Sequence, residues 1–189
     1  MRLRGALLAA ALAAAALPAA AQNTNDPRVT GSGRSDWERD QDERNWKEGD
    51  VKLPPAPKAE GLIEFFPSSA SSFRFFIDPA SLALDADGVV RYTLVARSAS
   101  GHDNVTYEGI RCRTNSVRIY AYGNAGAWSR SSSDWKQIEA KAVQRWHNEL
   151  RSRYFCPVGL PILTTAEGLS ALKRGGHPLA SGTGNPERY

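Results

Sequence analysis

The chain has 189 residues and a formal net charge of +4 at pH 7, which falls to about +2 if a basic N-terminal leader is removed. So small an excess excludes the strongly basic surfaces typical of proteins that bind nucleic acids or anionic membranes. With 41% hydrophobic and 23% charged residues, the composition is that of one ordinary globular domain with polar ends.

The first 21 residues have the three parts of a cleavable signal peptide. Arg2 and Arg4 supply the positive region, residues 5–17 are an apolar run, and Ala19 to Ala21 are small residues before a cleavage point. The apolar run is shorter than the roughly 20 residues that cross a bilayer. We therefore expect cleavage near Ala21, a periplasmic or secreted product, and no membrane span.

Residues 22–58 form a charged arm that becomes proline-rich towards its end. Ser35 and Glu38 have the spacing of a capping box, which predicts a helix that starts at residue 35 and stops by about Gly49. The only large apolar side chains in this predicted helix are Trp37 and Trp46. Two interpretations stay open: the arm docks its tryptophans onto the domain or a partner, or it is a mobile charged leader.

Residues 59–175 have the pattern of an α+β domain. Five short runs rich in β-branched and aromatic residues predict an antiparallel meander of four to five strands; they lie at 62–66, 73–77, 89–97, 105–112 and 117–122. Asp78 and Pro79 end the second strand and predict a single helical turn as far as Leu82.

Helical periodicity follows the strands. A long helix is predicted from Ser133 or Asp134 to Leu150, and a short helix from about Thr165 to Lys173. The long helix would pack two tryptophans onto the sheet, because its apolar side chains recur at steps of three and four: Trp135, Ile138, Ala142, Trp146 and Leu150. Residues 176–189 are rich in Gly and Pro and are predicted to be a disordered tail.

Two cysteines, Cys112 and Cys156, are the only ones in the chain. In an exported protein an even pair is most simply a disulfide, and closing a loop of this size stabilises a fold by about 4 kcal/mol. A metal pair or a reactive thiol is the alternative, but metal sites usually have Cys-x-x-Cys or nearby His ligands, which are absent here. We predict one disulfide, no metal site and no cofactor.

Catalytic motifs are weak. Asp85 to Gly88 begins like a calcium loop but lacks the glutamate that closes such a loop, so a hairpin turn is the preferred interpretation. Four side chains near strand ends are candidates for a hydrolase site: Asp78, His102, Asp103 and Glu108. Residues that are adjacent in sequence, such as His102 and Asp103, seldom belong to one catalytic triad.

Aromatic residues give the candidate binding positions. Tyr120, Tyr122 and Trp128 form a series that could stack on sugars or peptides, although core packing explains most aromatics at this density. Trp37 and Trp46 of the arm are the other candidates.

Four blocks of the chain, residues 87–101, 104–112, 118–121 and 154–157, together resemble the signature of the cryptic neisserial protein-like family, a group of small exported bacterial proteins. The resemblance spans roughly residues 60 to 175. It implies a Gram-negative envelope setting, at the periplasm or the outer surface, and it carries over no catalytic residue.

The sequence therefore predicts an exported envelope protein that is not an enzyme. We expect a binding or interaction module in the periplasm, whose partner is an envelope protein or whose ligand is a glycan or peptide. The alternative is a small envelope hydrolase that uses the strand-end Asp and His residues. A purely structural envelope protein is not separated from the first by sequence.

Overall fold

A computed structural model describes residues 35–67, 71–139 and 145–180. The predicted signal peptide, the beginning of the arm and residues 181–189 of the predicted tail lie outside the described residues. The elements, in chain order, are helix α1 (Asp36–Asn45); strands β1 (Ile63–Phe65), β2 (Arg74–Leu84), β3 (Val89–Arg97), β4 (Asp103–Arg111), β5 (Ser116–Asn124), β6 (Ala127–Arg130) and β7 (Lys136–Gln137); helix α2 (Arg145–Glu149), a π-helix (Leu150–Phe155) and a 3₁₀ turn (Pro157–Gly159); and helix α3 (Thr165–Lys173).

The strands form one antiparallel sheet in the order β1-β2-β3-β4-β5-β6, and β7 also pairs with β5. Each strand is therefore followed by its neighbour, as the short turns predicted. The turn between β2 and β3 has Gly88 at a φ of 76°, a conformation that glycine adopts without strain. Between β3 and β4 the pairing runs without a break from Val89–Arg111 to Arg97–Asp103.

The sheet is larger than predicted, with seven strands instead of four to five. β6 and β7 were missed because both are short, and β7 has only two residues. The helical turn predicted after Asp78 is also wrong, since β2 continues to Leu84 through an irregularity between Asp78 and Ala83. At this irregularity the Asp78 carboxylate accepts a hydrogen bond from the Ala80 amide at 3.1 Å. Pro79, which has no N–H to donate to a neighbouring strand, therefore lies at a bulge, where a proline is tolerated.

The main core lies on one side of the sheet, here called the helical face. Alternate residues of β3, such as Tyr92 and Leu94, pack there against Leu150 and Phe155 of the π-helix and Leu172 of α3. The period of two in β3 and β4 places these side chains on a common face. The prediction of an α+β domain agrees with this arrangement.

The long helix predicted from residue 133 is wrong in its first half. Lys136 and Gln137 pair with β5 as a strand, and the described helix α2 is Arg145–Glu149. Trp135 contacts the aromatic rings of Trp46 and Tyr120, whereas Ile138 enters the core of the helical face. The spacing of Trp135 and Ile138, which predicted a helix, therefore belongs to an extended segment, and the two side chains lie in two different cores.

The disulfide prediction is confirmed, with an S–S distance of 2.08 Å between Cys112 and Cys156. It joins the end of β4 to the end of the π-helix, and both cysteines are buried in the main core. The covalent link therefore holds the helical segment against the sheet.

The arm docks on the opposite side of the sheet, here called the arm face. Ser35 and Glu38 form the predicted capping box at the start of α1. Val51 and Leu53 pack against a second apolar cluster that contains Tyr107. Of the two interpretations of the arm, docking onto the domain holds for its described part.

The C-terminal elements are partly as predicted. α3 spans Thr165–Lys173, as expected. The predicted disordered tail starts too early, because His177 and Ala180 are buried and the His177 amide donates to Arg153 at 2.7 Å. A histidine ring that bonds Glu167 at 2.6 Å holds this Gly- and Pro-rich segment, and composition alone did not reveal it.

Candidate functional site

The helices that pack on the helical face of the sheet cover only part of it. Beside α2 they leave a cavity of about 260 Å³, here called the apolar cavity. Its walls come from β2, β3, β4 and α2, which meet over the ends of the strands. The cavity opens beside Phe73, whose side chain is 38% exposed. Among the residues that the structure describes, seven line it and none of these is ionisable: Phe73, Phe75, Leu94, Ala96, Asn104, Thr106 and Trp146.

A stacked pair of rings builds one wall. Phe75 and Trp146 lie with their ring centroids 5.3 Å apart and their planes inclined by 21°. Such an offset stack fixes both rings and contributes about 0.5–1.5 kcal/mol beyond area burial. A rigid aromatic wall opposite Leu94 and Ala96 gives the cavity a defined shape.

Beneath Thr106 lies a buried polar network centred on Glu108. The Thr106 hydroxyl donates to Glu108 Oε1 at 2.7 Å, and the Tyr92 hydroxyl donates to Oε2 at 3.0 Å. His147 Nε2 lies 2.9 Å from the same Oε2 atom. Glu108 has only 2% of its surface exposed, and a buried carboxylate requires such partners.

The network keeps Glu108 ionised. Burial raises the pKa of this carboxyl, but the neighbouring His147 and the two hydroxyl donors outweigh burial and hold the pKa below its ordinary value. Burial, and then the adjacent Glu108, raise the pKa of Tyr92 well above its ordinary value. Tyr92 is thus a permanent donor, and Thr106, whose proton points at Glu108, presents oxygen lone pairs to other groups.

Two nitrogen atoms at this site have no hydrogen-bond partner among the described residues. They are Nε1 of Trp146, which lines the cavity, and Nδ1 of the neighbouring His147. Buried polar atoms without partners are rare in native proteins, and each needs an explanation such as local strain or a bound water. The indole N–H of Trp146 is buried within the wall, and the side-chain amide of Asn104 is a further donor among the lining residues.

A second cavity of about 620 Å³, here called the polar cavity, adjoins the first. It lies between the beginning of β4, the hairpin of β5 and β6, and the arm at Ala56 and Pro57. Asn104 and Thr106 line both cavities, so the two meet along β4.

The arm face is organised by Arg91, which is 2% exposed. Its guanidinium donates to Asp85 at 2.6 Å and to Asp87 at 2.7 Å. Asp87 in turn accepts from the Gly49 amide at 2.9 Å, and its backbone carbonyl accepts from the Trp46 indole at 2.8 Å. The turn that sequence reasoning compared with a calcium loop therefore anchors an arginine and the arm.

Charge pairs fasten the rest of the arm. Glu43 pairs with Arg111 and Arg113, and Glu48 pairs with Arg118. Tyr120 also donates to Glu48, at 2.6 Å. These links make the arm a structural cover of the sheet.

The predicted aromatic positions are separated by this arrangement. Tyr120 is buried under the arm, and Trp46 lies against Trp135. Trp128 donates its indole N–H to Pro54 and lines the polar cavity with Tyr122, which is 49% exposed. Trp37 is 67% exposed and contributes to neither cavity.

The four residues of the hydrolase alternative do not converge. Asp78 pairs with Thr93 on the arm face, whereas Glu108 pairs with Tyr92 on the helical face. Asp103 forms an ion pair with Arg97 at 2.7 Å, and His102 lies beside it at the rim of the polar cavity. This geometry gives the hydrolase no support.

Sequence reasoning missed several residues of the site. It did not single out His147, whose side chain is buried against Glu108. The strand period could have paired Tyr92 with Glu108 on one face, because both lie at alternate positions that point inwards. No local pattern marks Trp146 as a cavity wall, since that follows from where the helix starts.

Within the part of the chain that the structure describes, no group of three His, Cys, Asp or Glu side chains is placed to hold a metal ion. No helix within those same residues has the length and apolar character needed to cross a membrane.

Comparisons with known proteins bear on the whole domain. The model of the CNP1-like family matches residues 41–173, so the match includes most of the docked arm. The chain is also similar to cryptic neisserial protein 1 of Neisseria gonorrhoeae (strain ATCC 700825 / FA 1090), with 28% identity over 141 residues, which covers 64% of this chain and 68% of that protein. No solved structure gives a significant match.

Proposed function

The chain belongs to the CNP1-like family, and from this premise and the site geometry we propose that it is an exported, non-enzymatic protein that binds an uncharged, largely apolar ligand group in the apolar cavity. The observation that carries the proposal is a cavity wall in which none of the described lining residues is ionisable. Ligand sites are typically apolar cavities with a few converging polar groups.

The lining decides the charge of the ligand group. A charged group would lose its hydration in a cavity whose described lining residues offer no counter-ion, which costs several kcal/mol. Glu108 and His147 lie below the wall and already pair with each other at 2.9 Å. The group that fits best is therefore neutral.

The size of the cavity supports a small group. Sites for drug-sized ligands have volumes of roughly 300–1,000 Å³, whereas the apolar cavity has about 260 Å³. A single aromatic ring or a short acyl group suits this space.

The binding test uses the indole N–H signal of Trp146 in ¹⁵N NMR spectra, assigned with Trp146→Phe. We expect benzyl alcohol to shift this signal, and benzoate and benzylammonium to shift it at least tenfold less at equal concentration. The indole signal of Trp128, which is bonded to Pro54, is the internal control.

The matched variants add the same side chain at two strand positions. Ala96→Leu fills the cavity and should abolish the shift, whereas Ala80→Leu, at an exposed position of β2 outside both cavities, should leave it unchanged. A Trp146 signal that does not respond to benzyl alcohol, or an equal response in Ala96→Leu, would refute the proposal.

The export part of the proposal is supported by the sequence of the first 21 residues and by the buried disulfide. Mass spectrometry of fractionated host cells should find a mature chain that starts at Gln22 outside the cytoplasm. Replacement of Ala19 and Ala21 by leucine should leave the precursor uncleaved, and an intact N-terminus in the wild-type protein would contradict cleavage.

A further inference from the structure

Two cavities share Asn104 and Thr106 as lining residues, and the larger one adds polar groups to a mainly apolar lining. On one side of these residues the walls are aromatic and aliphatic. On the other side, the larger cavity has polar side chains and main-chain segments between β4 and the β5–β6 hairpin. The two cavities therefore have neighbouring walls at these residues.

The polar cavity has the size and the groups of a binding site for a small polar molecule. Its volume of about 620 Å³ lies within the usual range for ligand sites. Asn104, Asn124 and Thr106 line it; the two asparagine side chains donate and accept hydrogen bonds, as hydroxyl groups do, and Thr106 accepts them.

An aromatic ring and a fixed hairpin complete this second cavity. Tyr122 is 49% exposed and offers its ring as a platform. The Trp128 indole is held by Pro54 at 2.7 Å, and Ala125 and Gly126 make a tight turn with φ angles of 48° and 83°.

The one carboxylate among the described lining residues of the polar cavity, that of Asp103, is paired within the protein, and His102 lies beside it. Asp103 pairs with Arg97 through two hydrogen bonds, at 2.7 and 2.9 Å. No lysine, arginine or glutamate lines the cavity within the described residues. The cavity therefore suits a head group that is polar and uncharged.

We propose that the two cavities bind one amphiphile, with its apolar end against Trp146 and an uncharged, hydroxyl-rich head group against Tyr122. This inference rests on the proposed function and extends it from an apolar group to a class of ligand. Joining the two ends in one molecule makes the second contact intramolecular, so that the amphiphile binds more tightly than either part.

The test compares three probes with the mature protein by NMR titration, below the concentration at which any of them aggregates. Hexyl β-D-glucoside should bind at least tenfold more tightly than hexan-1-ol or methyl β-D-glucoside. Tyr122→Ala should weaken the hexyl glucoside at least fivefold and leave hexan-1-ol unchanged, whereas Ala96→Leu should weaken both.

The outcomes separate this inference from the proposed function. Equal affinity for hexan-1-ol and hexyl glucoside, or no effect of Tyr122→Ala, would overturn the amphiphile and leave the apolar cavity as the site. Binding of methyl glucoside as tight as that of hexyl glucoside would also overturn it. A failure of benzyl alcohol and hexan-1-ol to bind at all would overturn the proposed function itself. Unchanged thermal unfolding of Tyr122→Ala shows that the variant is folded.

Discussion

Replacing Arg91 by methionine removes the cation at the centre of the arm face. Arg91 makes three hydrogen bonds to Asp85 and Asp87, at 2.6, 2.7 and 3.1 Å. The side chains of Arg91 and Asp87 are only 2% and 5% exposed. The variant thus leaves the carboxylate of Asp87 buried without its counter-ion.

The magnitude follows from what Asp87 keeps. Removal of one partner of a buried ion pair typically costs about 3–5 kcal/mol. Asp87 still accepts from the amides of Gly49 and Val89, at 2.9 and 3.1 Å, so we expect a loss near the lower end, about 3 kcal/mol. Burial raises the pKa of Asp87, but Arg91 and these two amides together hold the pKa below its ordinary value, which agrees with a strongly stabilised carboxylate.

The assay is urea unfolding of the mature protein followed by tryptophan fluorescence, with the change in midpoint multiplied by the slope. The matched control is Arg74→Met, because Arg74 also bonds a carboxylate, Glu64, at 2.6 Å but has 63% of its side chain exposed. An exposed pair contributes little, so the control should lose markedly less stability. Equal losses in the two variants would refute the reasoning that burial sets the cost.

Two further predictions concern the centre of the sheet. The fold lowers the pKa of Glu108, so the carboxylate stabilises the native state at pH values above the ordinary Glu pKa, about 4.3. This contribution is lost as the pH falls towards the lower pKa of the folded state. In Glu108→Gln the free energy of unfolding should therefore fall less steeply with decreasing pH, and a slope equal to that of the wild type would contradict the prediction. In Gly109→Ala the new Cβ would lie 2.8 Å from Tyr120 Oη and from Val89 Cγ1, so we expect a loss of about 1–3 kcal/mol in thermal unfolding. Gly49→Ala, whose Cβ would lie no closer than 3.4 Å to Asp87, is the control, and a similar loss there would show that the overlap is not the cause.

The strands were predictable because their side chains alternate. β3 and β4 are long, and their alternate residues face the core of the helical face, so that a shift of one residue would move the apolar set out of that core and onto the arm face. The short helix α3 was predictable for a similar reason, since Thr164 caps its first turn. In both cases a local signal agreed with the tertiary structure.

The segment around Trp135 and Ile138 shows where local signals stop. Its spacing satisfies a helix, yet its two apolar side chains belong to cores on opposite faces of the sheet. Only the tertiary arrangement decides between a helix and a strand here. Lys136 and Gln137 form a strand because they pair with β5, and no pattern in the sequence links these two residues to β5. Intrinsic propensity is a weak guide in such a place.

The candidate site was predictable only in its parts. Tyr122 and Trp128 were recognised as aromatic candidates, and they do line a cavity. The apolar cavity depends on where α2 places Trp146 over the sheet, and the buried pair of Glu108 and His147 joins positions 39 residues apart. Distances of this kind are products of packing, which no single sequence reveals.

The docking of the arm has a consequence for the order of folding. Neighbouring strands form hairpins, whose contacts are local and form early. Glu48, in contrast, contacts Arg118 and Tyr120, which lie 70 and 72 residues further along the chain. Contacts over such separations close the largest loops and are the slow ones to form. A chain that crosses a membrane N-terminus first presents the arm before β5 has emerged, so we expect the arm to stay open to proteases and chaperones until the sheet behind it is complete.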